Sequence, residues 1–172
     1  KEFKSVVKKQ KKLLNKNIES ILELIKLDGI EDSKQEKRYT KLIVALQLLQ
    51  KNSNSIWNAS YSHIDNNHQA PSEEHMEDLI AIAGKLNNRL ELSKELLLDF
   101  QSDDCESFEN SSKDFETELA MFDKKQIKRM KHSQGSMKNN FLFLDLYSFM
   151  ENISRNLDDL ISLYRKNYKN LK

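Results

Sequence analysis

The chain has 172 residues, of which 38% are hydrophobic, and this is enough apolar material for one sizeable core. Its formal net charge of +1 gives no overall attraction to nucleic acid, and its single Cys excludes an intrachain disulfide and suits a reducing compartment. Three Gly and one Pro leave few places to interrupt secondary structure, so the composition favours long helices over a many-turned β architecture. We therefore expect one all-α domain over residues 1–172.

Two amphipathic helices are predicted in the first part of the chain, because apolar residues recur there at three- and four-residue steps. The first covers residues 4–28 and stops at Gly29, and its start is basic, with seven Lys and one Glu in the first 16 residues. The second begins at residue 32 or 33 with a capping box that Glu36 completes, and it runs to about Ser62. Its predicted apolar face consists of Tyr39, Leu42, Ile43, Leu46, Leu49, Ile56, Trp57 and Tyr61.

Three more helices are predicted in the remainder of the chain. Ser72 is the expected N-cap of a third helix that continues to Phe100. A fourth helix is predicted to be interrupted near residues 110–112, and a final helix covers roughly residues 136–168. Short connections imply antiparallel neighbours, so the sequence predicts an antiparallel bundle of five to six long helices without a β-sheet. The residues expected in its interior are Leu46, Trp57, Leu86, Leu119 and Leu144.

A polar segment between the second and third helices packs two imidazoles, a carboxylate and two carboxamides into six residues. Asp65, Asn66 and Asn67 can hold a helix-ending turn by bonding to nearby backbone groups. Alternatively, the segment contacts a ligand or partner, or a metal is shared by His63, Asp65 and His68. A ferritin-like site needs the carboxylate-x-x-His spacing twice, and a zinc site needs further ligands, so we predict no metal and no cofactor. The candidate ligand or partner contacts are His63, Asp65, Asn66, Asn67 and His68.

A second polar segment is strongly cationic. On a helix, Lys124 and Lys128 share one face, and Lys125 and Arg129 share the adjacent one. The charges can form a solvated helix end, pair with the seven carboxylates of residues 101–118, or contact phosphate groups or anionic lipid. No aromatic residues alternate with the cations, so nucleic-acid binding is not indicated. We favour anion contact by Lys124, Lys125, Lys128 and Arg129.

These two segments, Tyr61–His68 and Lys124–Lys131, in this order and at this separation, resemble the PhoU-like C-terminal domain of one branch of bacterial inorganic phosphate permeases. The resemblance covers most of the chain and is strongest in residues 39–68 and 124–147. It implies an all-α PhoU-like bundle on the cytoplasmic face of the cell membrane that regulates phosphate transport and is not an enzyme. The implied partners are the transmembrane part of the same permease, the anionic membrane surface and a second copy in a homodimer, and not nucleic acid.

The chain departs from PhoU proteins in a way that bears on metals. Those proteins carry an acidic motif, Glu/Asp-x-x-x-Asp, on two equivalent helices, where it can hold iron or zinc clusters. Here Asp145 and Glu151 align with parts of the motif, Tyr147 stands in place of its other acid, and residues 39–62 contain no Asp or Glu. The resemblance therefore implies fold and context but no metal ligands.

The expected membrane context comes from the resemblance, because the chain itself has no apolar run of about 20 residues able to cross a bilayer. It begins at Lys1 without a Met, so we expect a piece excised from a larger permease, whose positive-inside bias the lysine-rich start would satisfy. Two other functions stay open. One is a free-standing helical adaptor of the PhoU-like phosphate-uptake regulator type, and the other is a metal-dependent enzyme built on His63, Asp65 and His68.

Overall fold

The computed structural model describes residues 33–98, 102–132 and 136–168, together with isolated positions between 5 and 23. In the three continuous ranges the chain forms four α-helices and no strand. They are α1 (Ser33–Asp65), α2 (Glu73–Leu98), α3 (Ser102–Lys131) and α4 (Met137–Tyr168). The 33 residues of α1 make it about 50 Å long at 1.5 Å per residue. No helix in these ranges combines the length and the hydropathy that a bilayer span requires.

The all-α prediction is confirmed for these residues, but they form four helices, not the five to six predicted. The predicted first helix, residues 4–28, lies outside the continuous ranges. The predicted interruption of the fourth helix near residues 110–112 is wrong, because α3 is unbroken. Ser111 Oγ donates to the carbonyl oxygen of Phe108 at 2.7 Å, and Ser112 Oγ donates to a carboxylate oxygen of Asp158 at 3.3 Å. Both hydroxyls are thus satisfied without breaking the helix.

The helix α4 is the centre of the arrangement, since it packs against α1, α2 and α3. The helices α2 and α3 also pack against each other, whereas α1 contacts α4 alone among the described helices. The helices α1 and α3 end, and α2 and α4 begin, at the same end of the bundle, so α2 and α4 run antiparallel to α1 and α3. Within residues 33–168, the described helices therefore form a three-helix bundle of α2, α3 and α4, with α1 packed on α4.

The core lies between α2, α3 and α4, and its largest fully buried apolar side chains are Ile82, Leu96, Phe115, Phe122 and Phe143. Among the residues expected in the interior, Leu86 and Leu119 are buried, whereas Leu46, Trp57 and Leu144 are only partly buried. Leu46 and Trp57 belong to α1, which packs on one described helix instead of several.

A fully buried arginine crosses this core. Arg89 of α2 donates from Nη2 to a carboxylate oxygen of Asp158 in α4 at 2.6 Å, and its guanidinium lies 4.8 Å from the ring centroid of Phe108 in α3. The Arg89 side chain is 0% exposed, whereas that of Asp158 is 39% exposed. The ion pair therefore joins all three core helices and opens to solvent only on its acidic side.

Candidate functional site

The polar segment after α1 forms a helix-ending turn. The amide of His68 donates to the carbonyl oxygen of His63 at 3.1 Å, and the amide of Asn67 donates to that of Ile64 at 3.0 Å. Asn67 has a φ of 51°, in the left-handed region that Asn tolerates better than most residues. This pair of hydrogen bonds around a left-handed residue is the Schellman motif.

Side chains reinforce the same turn. Asn66 donates from Nδ2 to the carbonyl oxygen of Ser62 at 2.8 Å, and Asp65 accepts a hydrogen bond from the Tyr61 hydroxyl at 3.0 Å. Asp65, Asn66 and Asn67 therefore take part in the turn that the sequence indicated as one of its interpretations. Among the described residues, no group of three or more His, Cys, Asp or Glu side chains is placed to hold a metal ion.

The left-handed conformation of Asn67 gives a direct test of this turn. We expect Asn67→Ala to lower the free energy of unfolding by about 1–2 kcal/mol, because a Cβ-bearing residue without a polar side chain resists this conformation. Asn67→Gly should change it by less than about 0.5 kcal/mol, since Gly adopts positive φ freely. Urea unfolding measures both, and equal effects of the two substitutions would contradict the assignment.

A chain of polar contacts links this turn to α4. Lys138 Nζ lies 3.0 Å from His68 Nε2, His68 Nδ1 lies 3.4 Å from His63 Nδ1, and His63 Nε2 lies 3.0 Å from the carbonyl oxygen of Gln69. A carbonyl oxygen can only accept, so His63 carries its proton on Nε2 and accepts at Nδ1. His68 then donates from Nδ1 and accepts from the Lys138 ammonium at Nε2. One assignment of protons satisfies all three contacts, and in it both imidazoles are neutral.

The start of α2 places a third histidine nearby. Ser72 is the N-cap as predicted, because its hydroxyl oxygen accepts the backbone N–H of His75 at 3.4 Å. The buried His75 ring stacks on Phe143 of α4 with centroids 4.5 Å apart. Burial lowers the pKa of His75, and the charge of Arg129 lowers it further. The fourth histidine, His132, follows α3 directly. All four histidines of the chain therefore lie at one end, which we call the histidine end.

The cationic segment, at the end of α3, divides into buried and exposed members. Arg129 donates from Nη2 to one carboxylate oxygen of Asp78 at 2.6 Å, and Lys125 donates from Nζ to the other at 2.8 Å. The Arg129 and Asp78 side chains are each 9% exposed and that of Lys125 is 48% exposed. Lys124 and Lys128 are exposed. The predicted cationic surface thus has two members, Lys125 and Arg129, that are engaged with α2.

The shared partner of these two cations is Asp78, and Arg129 Nε also lies 3.8 Å from a carboxylate oxygen of Glu74. Both carboxylates belong to α2 and not to the acidic run of residues 101–118, a pairing that the sequence left open. Two carboxylates of that run pair elsewhere, Glu109 with Arg165 at 2.8 Å and Glu118 with Lys85 at 3.6 Å. Burial by itself would raise the pKa of Asp78, but the hydrogen bonds from Lys125 and Arg129 outweigh it and hold the pKa below its ordinary value. Asp78 therefore stays ionised as the centre of a buried ion-pair network.

A recess of about 410 Å³ opens beside this network. One wall comes from α2 and is acidic, and the other comes from the end of α3 and is basic. The lining residues are Glu74, Glu77, Asp78, Lys125, Lys128, Arg129 and His132. Because the two walls carry opposite charges and are already paired through Asp78, the exposed ammonium of Lys128 is the cation most available to an external anion.

Buried polar groups continue beneath the recess. Gln126 donates from Nε2 to Asn140 Oδ1 at 2.8 Å, and Asn139 donates from Nδ2 to the carbonyl oxygen of Ala70 at 3.3 Å. Tyr147 is buried against Phe122, with ring centroids 5.7 Å apart, and burial together with the charge of Asp78 raises its pKa to about 12. The histidine end is thus held by polar contacts as well as by the apolar core.

The sequence interpretation missed Asp78, Gln126, Asn139 and Asn140 and gave His75 no role. The signal was present, because the buried positions of α2 follow one three- and four-residue spacing through polar and apolar residues alike. These positions are His75, Asp78, Ile82, Leu86, Arg89, Ser93 and Leu96.

Comparison with protein-family models, with curated proteins and with solved structures gives no match to this chain.

Proposed function

We propose that this chain is a cytoplasmic regulatory and interaction domain of an inorganic phosphate permease, with a PhoU-like fold. One observation carries the proposal. The two segments on which the resemblance rests, residues 61–68 and 124–131, are about sixty residues apart in sequence, and both lie at the histidine end of the bundle. There His68 contacts Lys138, and Arg129 contacts Asp78. A domain that communicates with a membrane partner needs such a composite surface on a helical body.

The exposed lysines of the histidine end are the proposed contact with the membrane or the transmembrane part of the permease. Lys124 and Lys128 are one helical turn apart on α3, and Lys131 and Lys138 are exposed at the same end. An anionic leaflet attracts each such residue by about 1 kcal/mol. Arg129 is buried with Asp78, so in this proposal it orients the segment and does not itself touch the partner.

Phosphate uptake tests the permease role. In cells that depend on the full gene encoding this chain, deletion of residues 1–172 should change the rate of radiolabelled phosphate uptake at equal protein abundance. The substitution pair Lys124→Glu with Lys128→Glu should reproduce the change. Unchanged uptake after deletion would contradict the proposal and favour the free-standing adaptor.

Vesicle binding tests the proposed surface separately. We expect Lys124→Glu with Lys128→Glu to weaken binding to phosphatidylserine-containing vesicles by at least about thirtyfold, because two attractions of about 1 kcal/mol are lost. Binding should also weaken as salt shortens the Debye length. The melting temperature should stay nearly unchanged, since both side chains are exposed.

The matched control reverses the exposed Lys94 and Lys113, which lie farther from the histidine end and change the net charge equally. Equal loss of vesicle binding in both double variants would mean that net charge, and not this surface, drives the contact.

A further inference from the structure

The proposed function assigns no role to the protonation of His63 or His68, and the following inference does not rest on that function. We propose that the chain of contacts Lys138–His68–His63–Gln69 is a proton-operated latch. It fastens the end of α1 to the start of α4 when both imidazoles are neutral, and it opens when either one takes up a proton.

In this arrangement neither imidazole can accept another proton without losing one of its hydrogen bonds. On His63 the ring nitrogen that carries no proton is Nδ1, and it already accepts a hydrogen bond from His68 Nδ1 at 3.4 Å. On His68 the ring nitrogen that carries no proton is Nε2, and it accepts a hydrogen bond from the Lys138 ammonium at 3.0 Å. Protonation at either atom places two donors face to face and converts an attraction into a repulsion. Each imidazole can therefore become charged only by giving up a contact that holds the latch.

The groups around His68 do not stabilise its protonated form. The groups that act on His68 are Lys138 from α4 and His63 from α1, and both oppose its protonation. The nearest carboxylate in sequence, Asp65, accepts a hydrogen bond from Tyr61 at 3.0 Å. Burial lowers the pKa of His68 first, and these two neighbours lower it further. The direction of the shift agrees with what the contacts require.

The folded protein holds the pKa of His68 below the ordinary value of 6.5, so the latch contributes fully above about pH 6.5. Its contribution is lost as the pH falls from that value through the lowered pKa of the folded state. Acidification, and not alkalinisation, should open it.

Opening the latch should loosen the turn after α1, because few contacts join this turn to α4. Among the described helices α1 packs on α4 alone, and the turn after α1 is tied to α4 by the Lys138 contact and by the hydrogen bond from Asn139 to Ala70. Opening the latch removes one of these two ties. The only tryptophan of the chain, Trp57, lies on α1 two turns before His63 and reports on this end.

Nuclear magnetic resonance of the imidazole nitrogens tests the proton assignment. At about pH 7.5, where unperturbed histidine is mostly neutral, long-range ¹H–¹⁵N spectra should show His68 as the Nδ1–H tautomer and His63 as the Nε2–H tautomer. An unconstrained histidine side chain favours Nε2–H, so an Nδ1–H form of His68 is a specific result. The Nε2–H tautomer at His68 would overturn the proposal.

A pH series tests the opening. Trp57 emission and the urea midpoint of the wild type should change as the pH falls below about 6.5, the ordinary pKa of histidine. His68→Gln should remove most of that change, and Lys138→Met should move its midpoint to higher pH by removing the charge that opposes protonation. The exposed His132→Gln is the control and should behave as the wild type does.

The buried His75 remains in every variant, so its own titration cancels when the variants are compared. Should His68→Gln be too unstable for unfolding experiments, Lys138→Met alone decides, because the titration midpoint of His68 is read directly from its NMR signals. An unshifted midpoint in Lys138→Met, or a pH dependence equal in wild type and His68→Gln, would refute the latch.

Discussion

Replacing Asp78 with Ala should lower the free energy of unfolding by about 3–5 kcal/mol, because the buried charge of Arg129 then keeps only the exposed Glu74, 3.8 Å from its Nε, as a counter-charge. Asp78 receives hydrogen bonds from Arg129 at 2.6 Å and from Lys125 at 2.8 Å. Lys125 is half exposed and can turn its ammonium to water once the carboxylate is gone, whereas the Arg129 side chain is only 9% exposed and cannot. Urea unfolding at neutral pH measures the loss.

Two further substitutions separate the network from general effects at the histidine end. Glu77→Ala removes an exposed carboxylate from the same recess and should cost less than about 0.5 kcal/mol. Arg129→Met should cost less than Asp78→Ala, because Asp78 keeps Lys125 as its counter-ion. If Asp78→Ala and Glu77→Ala were equally mild, the ion-pair network would not be a stabilising feature of the fold.

The second large effect is expected at the ion pair of Arg89 and Asp158. Removing the carboxylate should cost more stability than removing the guanidinium. Asp158→Ala leaves Arg89 wholly buried and without its counter-charge, so it should also cost about 3–5 kcal/mol. Arg89→Met fills much of the same volume with an apolar side chain and leaves Asp158, 39% exposed, in contact with water. We therefore expect Arg89→Met to cost clearly less than Asp158→Ala, although it also removes the contact with Phe108.

The neighbouring Asp159→Ala is the matched control, since Asp159 is exposed on the same helix. Its effect should lie within about 0.5 kcal/mol of zero. An Arg89→Met variant less stable than Asp158→Ala would show that the packing of the arginine side chain outweighs its charge.

Much of the secondary structure could be predicted because it depends on neighbours along the chain. The N-cap at Ser72, the start of α1 near residue 33 and the final helix near 136–168 all agree with the structure. Such signals act within a few residues, through capping hydrogen bonds and the 3.6-residue period. The wrong interruption of α3 has the same origin. Three consecutive polar residues look like a break until Ser112 is seen to bond to Asp158 of another helix.

The candidate site was predicted only in part, because its chemistry depends on partners distant in sequence. The sequence indicated that Lys125 and Arg129 are neighbours on a helix, but their partner, Asp78, lies 47 and 51 residues away. Local spacing contains no information about which helix faces which. The sequence therefore predicts that Arg129 is exposed, whereas the fold buries its side chain.

The sequence alone determined that the described part of this protein consists of long helices with defined starting residues and one repeating buried face. Only the tertiary structure decided which polar residues on that face pair with one another, and that α1 packs on α4 alone among the described helices. The physical reason is the distance along the chain over which each kind of interaction acts. Capping and periodicity act over one or two turns, whereas the pairing of Asp78 with Arg129 and of His68 with Lys138 exists only after the helices have packed and excluded water from between them.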